Sequence, residues 1–139
     1  MSVRHVFVYG TLRQGEGRDI NRLLPAPRRL GTARVAGVLY HLGEYPGLLL
    51  GAAGSTGSVQ GEVYEISAEL ERLLDEIEEV LPLQSGEYCK REQLVRVDES
   101  GDDVLCIVYE IAADRLAGMR IIAGGDWVLH RLDREFHNS

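Results

Sequence analysis

The segment Phe7-Val8-Tyr9-Gly10-Thr11-Leu12-Arg13-Gln14-Gly15 runs from apolar, strand-forming residues into a polar stretch. A glycine directly after a buried strand lets the backbone turn sharply, and the amide N–H groups that follow can then converge on open space as an anion site. An ordinary glycine turn after an edge strand is the plainer reading of this segment alone. The Lys-Ser/Thr pair of a Walker loop is missing. So are the three spaced glycines, with a helix directly after them, of a dinucleotide fingerprint.

A second group with chemical potential is the run of acids Asp75, Glu76, Glu78 and Glu79. Projected at about 100° per residue, Glu79 falls opposite the apolar stripe of its helix, Asp75 lies well off the stripe, and Glu78 sits at its margin beside Leu74. Glu78 is therefore the acid best placed for half-burial, where desolvation would raise its pKa toward the range useful for proton transfer. A solvated acidic face is the alternative, and carboxylates at a helix C-terminus oppose the dipole only weakly.

Other catalytic arrangements are poorly supported. His5, His41, His130 and His137 are scattered and have no cysteine partner, so no metal site is expected. Cys89 and Cys106 lie in strand-like alternation without ligand spacing and read as reduced, half-buried thiols. No Gly-x-Ser-x-Gly elbow occurs, which leaves no evident covalent nucleophile. An attacking atom would have to come from the substrate.

These groups need positioning elements. Val3 to Tyr9 reads as a strand, Asp19 to Leu24 as one helical turn before Pro25 and Pro27, and Gly31 to Leu42 as a second strand. Tyr45-Pro46-Gly47 punctuates the chain before the apolar Leu48 to Leu50, and Ser58 to Ile66 reads as a further strand. Ser67 is a suitable N-cap for a helix from Ala68 to about Glu79, whose Leu70, Leu73, Leu74 and Ile77 recur at helical spacing. Tyr88 to Val97 and Val104 to Ile111 are the last clear strands, and Met119 to Leu132 reads as strand, helix or both. Val-Tyr-Glu-Ile occurs at Val63 to Ile66 and again at Val108 to Ile111, as two similar strands without a longer period. The expected fold is α+β: a mixed, mostly antiparallel sheet that curls into a barrel, with one main helix.

The 139 residues, 45% hydrophobic and 27% charged, suit a single domain spanning 1–139 with a core large enough to need no staples. A net charge of −7 argues against non-specific grip on nucleic acid or an anionic membrane. The run Val6-Phe7-Val8 is far too short for a membrane span, so a cytoplasmic protein is expected.

Taken together, the residues carry a family likeness. Phe7-Val8-Tyr9-Gly10-Thr11-Leu12 resembles the Tyr-Gly-Ser/Thr-Leu signature of the γ-glutamylcyclotransferase-like family. Tyr45-Pro46-Gly47, Gly61-Glu62-Val63-Tyr64, Leu74-Asp75-Glu76-Ile77-Glu78, Tyr88 and Gly125-Asp126-Trp127 match in order. The resemblance implies a barrel-like α/β fold in which the loop Tyr9, Gly10, Thr11 and Leu12 binds the γ-glutamyl part of a small-molecule substrate. It places Glu78 as the catalytic glutamate, with no cofactor. Tyr9 and Tyr88 either shape the pocket or belong to the core. Family members commonly follow the glutamate with glycine and then show Tyr-x-Arg, whereas here Glu79-Val80 comes next and Tyr88 precedes Cys89-Lys90-Arg91. Either Lys90 or Arg91 then fills the basic place. The implied reaction is cyclisation of a γ-glutamyl compound to 5-oxoproline; a non-catalytic module binding a γ-glutamyl metabolite or a partner is the alternative.

Overall fold

The computed structural model describes residues 4–43, 45–51, 57–80, 88–112, 116–122 and 124–137, with backbone alone at 78–80 and 133–137. The elements run β1 (Arg4–Val8), a 3-10 turn (Ile20–Arg22), β2 (Arg28–His41), β3 (Pro46–Leu50) and β4 (Ser58–Ile66). They continue as α1 (Ala68–Val80), β5 (Tyr88–Arg96), β6 (Asp103–Ile111), β7 (Arg120–Ile121) and α2 (Trp127–His137).

Hydrogen bonding links the strands in the order β1-β4-β2-β3-β6, and β6 returns to β1, which closes a five-strand ring. Neighbours are mostly antiparallel. The two parallel contacts are both made by β6, with Ile107 opposite Val6 and Glu110 opposite Leu48. β5 lies outside the ring along β6, and β7 pairs with the end of β2. The expected mixed barrel with one main helix is what the chain forms.

Alternation along the strands divides the core in two. Phe7 and Tyr9 point into the barrel with Val35, Leu48, Val63 and Trp127, while Val6 and Val8 point outward against α1. This is why β1 reads as a continuous apolar run: both of its faces are buried. From α1 the stripe residues Leu70 and Leu74 are fully buried, and Leu73 and Ile77 pack at its edge. Ser67 caps the helix as expected, its Oγ accepting the Leu70 N–H at 3.1 Å.

Some boundaries differ from the sequence reading. β2 begins at Arg28, three residues before Gly31, through a bulge between Arg29 and Gly31. β3 begins at Pro46 itself, a position proline tolerates because it opens a strand. The C-terminal segment is both strand and helix. Gly124 and Gly125 take positive φ, and Asp126 then caps α2 by accepting the Leu129 N–H at 3.2 Å. A Cβ on Gly125 would stand 1.9 Å from the Ser58 carbonyl oxygen, so only glycine fits the close approach of this turn to β4.

Cys89 is half-buried as expected, but Cys106 is fully buried, because β6 alternation turns it into the barrel beside Val108. Burial pushes its thiol up from 9.0 to about 12 and the Tyr64 phenol up from 10.0 to about 12. A folded state that keeps protons the unfolded chain releases loses stability as pH rises through that interval. The melting temperature is therefore expected to fall from about pH 9 upward. Cys106→Ala, though less stable at neutral pH, should delay that decline to about pH 10. Thermal melts across pH 7 to 12 check both points, and a wild-type curve flat to pH 11 would contradict them.

Candidate functional site

The loop after β1 is built from its own carbonyls. The Gly10 carbonyl accepts the Arg13 N–H at 3.0 Å, that of Thr11 the Arg18 N–H at 2.9 Å, and that of Leu12 the Ile20 N–H at 2.9 Å. In a trans peptide the N–H points opposite the carbonyl of the same unit. With the Gly10 and Thr11 carbonyls turned into the loop, the amides of Thr11 and Leu12 face away from it. Among the described residues no acceptor meets the N–H groups of Gly10, Thr11 or Leu12. The Leu12 side chain is buried under α1 and anchors the turn from below.

Gly10 is required by what lies above it. A Cβ there would stand 2.6 Å from Pro46 Cγ and 2.8 Å from Cδ, so the loop and the start of β3 touch through a glycine. The Pro46 carbonyl in turn accepts the Tyr88 hydroxyl at 2.9 Å. Tyr9 is buried, its hydroxyl donating to the Tyr109 carbonyl at 2.6 Å and accepting the Leu48 N–H at 3.3 Å. Gly10 and Tyr88 thus both meet Pro46, with Tyr88 half-buried, while Tyr9 packs into the barrel core and reaches Leu48 two residues further along β3.

Tyr109 joins this end of the barrel to α1. Its carbonyl holds Tyr9, and its hydroxyl donates to Asp75 Oδ1 at 2.6 Å. Lys90 Nζ occupies Asp75 Oδ2 at 3.0 Å and Glu71 Oε2 at 2.6 Å. Burial alone would lower the Lys90 pKa, but the hydrogen bonds to Glu71 and Asp75 outweigh it and hold the ammonium above its usual range. Arg91, on the opposite face of β5, pairs instead with Glu110 at 3.1 Å. Lys90 is therefore the base turned toward α1.

The direction of α1 follows from its two ends. Glu71 near its start binds Arg4 at the start of β1, at 3.0 Å, whereas Asp75 one turn later meets Tyr109, level with the end of β1. The helix runs alongside β1 in the same sense, so its following turn continues toward the Gly10 loop. Glu78 is on the backbone of that turn, and its side chain lies outside the described residues.

One participant escaped the sequence and another was underrated there. Tyr109 belongs to the second Val-Tyr-Glu-Ile copy, which reads simply as a strand, and Asp75 falls off the helix's own stripe because the projection ignores the strand beside it. Among the described residues no group of three or more His, Cys, Asp or Glu side chains is spaced to hold a metal ion, and no helix is long and apolar enough to cross a membrane. A groove of about 380 Å³ opens at the other end of β1, lined by Arg4, His5, Glu92 and the first half of β6. Arg4 is paired there with Glu71 and Glu92.

The chain is similar to known proteins over most of its length. The chain is 33% identical over 131 residues to the γ-glutamylcyclotransferase family protein YtfP of Escherichia coli, covering 94% of this chain and 97% of that one. It is 35% identical over 130 residues to γ-L-glutamyl-butirosin B γ-glutamyl cyclotransferase of Niallia circulans, covering 92% and 78%. The crystal structure of an AIG2-like protein from Mus musculus superposes with a TM-score of 0.71 at 27% identity, over 91% of this chain and 89% of that one. The sequence pattern of γ-glutamyl cyclotransferase, AIG2-like proteins matches residues 6–129, and the chain belongs to that family.

Proposed function

We propose that the protein cyclises a small γ-glutamyl amide to 5-oxoproline with release of an amine or amino acid. The observation that carries this reading is the pair of Thr11 and Leu12 amides, turned out of their loop without an acceptor among the described residues. Fixed N–H donors of this kind are what a substrate carboxylate or a developing oxyanion needs. The names of the YtfP and butirosin relatives support a γ-glutamyl substrate.

The nucleophile belongs to the substrate. Its α-amine attacks its own γ-carbonyl carbon, forming the lactam C–N bond and placing negative charge on the carbonyl oxygen. Collapse of that intermediate breaks the bond to the departing nitrogen. Holding amine and carbonyl in one near-attack geometry is the larger part of such catalysis. The Thr11 and Leu12 amides fix the carboxylate or the oxyanion. Glu78 takes the ammonium proton and delivers it to the leaving nitrogen, and the second proton shed by the ring nitrogen passes by the same carboxylate to the released amine, which departs as an ammonium. The proton count closes within the substrate and one carboxylate, without a cofactor.

The test is incubation of the purified protein with γ-glutamyl amines, γ-glutamyl amino acids and glutathione, with mass spectrometry of the products. Equal amounts of 5-oxoproline and released amine are expected from at least one of them. Saturable binding with no cyclised product would replace the enzyme by a binding module.

A further inference from the structure

Among the described residues the buried charged side chains are Arg13, Glu16, Asp19 and Glu62, and all four lie in or reach the segment 13–19 that follows the amide pair. Charge is costly to bury, and a well-packed apolar cluster of equal volume is commonly as stable or more so. Spending it at the base of one loop suggests that geometry there matters more than stability.

We propose that Glu62 is a positioning residue that sets where the Thr11 and Leu12 amides stand, acting through Arg13 and Gln14. This rests on the cyclotransferase reading for its consequence in catalysis. Glu62 is well placed for the task, because its backbone is locked in β4 between Val8 of β1 and Thr32 of β2. Its carboxylate is fully occupied. Oε2 accepts Arg13 Nε at 2.9 Å, and Oε1 accepts both the Gln14 N–H and the Tyr64 hydroxyl at 2.9 Å.

The hold extends to both ends of the loop. Tyr64 Oη accepts the Asn21 amide at 3.2 Å, beyond the far end of the segment. Arg13 Nη1 donates to Asp126 Oδ1 at 2.9 Å, the same oxygen that caps α2. With its guanidinium turned to Glu62 and Asp126 and the side chain buried, Arg13 is an anchor rather than a substrate ligand. The residues immediately after Leu12 are therefore pinned to β4 and to the start of α2 at once. Glu16 differs: it reaches outward to Arg131, at 2.8 and 2.7 Å, four residues past the amide pair.

The experiment compares Glu62→Gln with Glu16→Gln, two similarly buried carboxylates, one holding the loop from β4 and one within the loop itself. Glu62→Gln is expected to displace the Thr11 and Leu12 cross-peaks in ¹⁵N–¹H spectra and, because small misplacements of binding groups are costly, to lower kcat/KM about 10²-fold. Glu16→Gln should leave those cross-peaks in place and kcat/KM little changed. Should Glu62→Gln fail to fold, Asp126→Asn, which keeps the oxygen that caps α2, must displace the same two peaks. Unmoved peaks in the folded variant, or equal displacement by Glu16→Gln, would overturn the proposal. The spectra need no substrate. A wild-type protein that cyclises nothing would therefore sink the cyclotransferase reading while the peaks still decide the role of Glu62.

Discussion

Glu78→Gln is expected to slow 5-oxoproline release about 10²- to 10⁴-fold, the usual worth of a positioned general acid–base group, while far-ultraviolet circular dichroism and melting temperature stay close to the parent. The substitution keeps size and hydrogen-bonding shape and removes only the capacity to take and return a proton. Its neighbours supply the controls. Glu79→Gln, opposite the apolar stripe, should be nearly neutral. Asp75 is the rival acid, but both of its oxygens are engaged, one by the Tyr109 hydroxyl and one by Lys90. A carboxylate engaged at both oxygens ties the helix to the strands beside it. Asp75→Asn should lower kcat less than Glu78→Gln. Steady-state kinetics on one confirmed substrate order the three variants, and a Glu78→Gln enzyme as fast as the parent would remove the assignment.

Gly10→Ala is expected to be nearly as damaging for a different reason. The added methyl would lie 2.6 Å from Pro46 Cγ, on a ring that cannot rotate away and whose carbonyl is held by Tyr88. Either the loop or the start of β3 must shift. A shift of the loop moves the Thr11 and Leu12 amides, and loss of one such donor commonly costs about 10²- to 10³-fold in kcat. Overpacking of this kind also costs about 1–3 kcal/mol of stability, a drop of several degrees in melting temperature. Gly15→Ala is the matched comparison. Gly15 has positive φ, at 84°, where Gly10 does not, and open space surrounds it, so that variant should lose some stability and little activity. Equal activity loss in the two would mean that any disturbance of the loop, rather than contact with Pro46, is what costs activity.

The parts of this molecule legible in sequence are those governed by one-dimensional periodicity. The run Val3 to Tyr9 announced a strand, though not that both of its faces are buried, and Leu70, Leu73, Leu74 and Ile77 announced the buried face of α1. The glycine after β1 announced a turn whose amides are left over. Contacts between distant residues carry no such signal. Arg13 meets Asp126 across 113 residues, and nothing in either neighbourhood marks the partner. Asp75 looked displaced from the core because helical projection sees one helix and not the strands flanking it. β7 and α2 were ambiguous because a two-residue strand is too short to show a period, and the helix after it starts from the glycine pair at 124–125. Cys106 was misjudged by half a face: alternation was visible, but which face of β6 is inside the ring depends on closure with β1.

Crystals grown or soaked with 5-oxoproline give the most direct measurement. The product should sit beside Pro46 with a carboxylate or lactam oxygen about 3 Å from the Thr11 and Leu12 nitrogens, and the Glu78 carboxylate should face its ring nitrogen from the last turn of α1. Product bound in the groove at the far end of β1, or Glu78 turned to solvent away from a molecule held by the loop, would contradict the account.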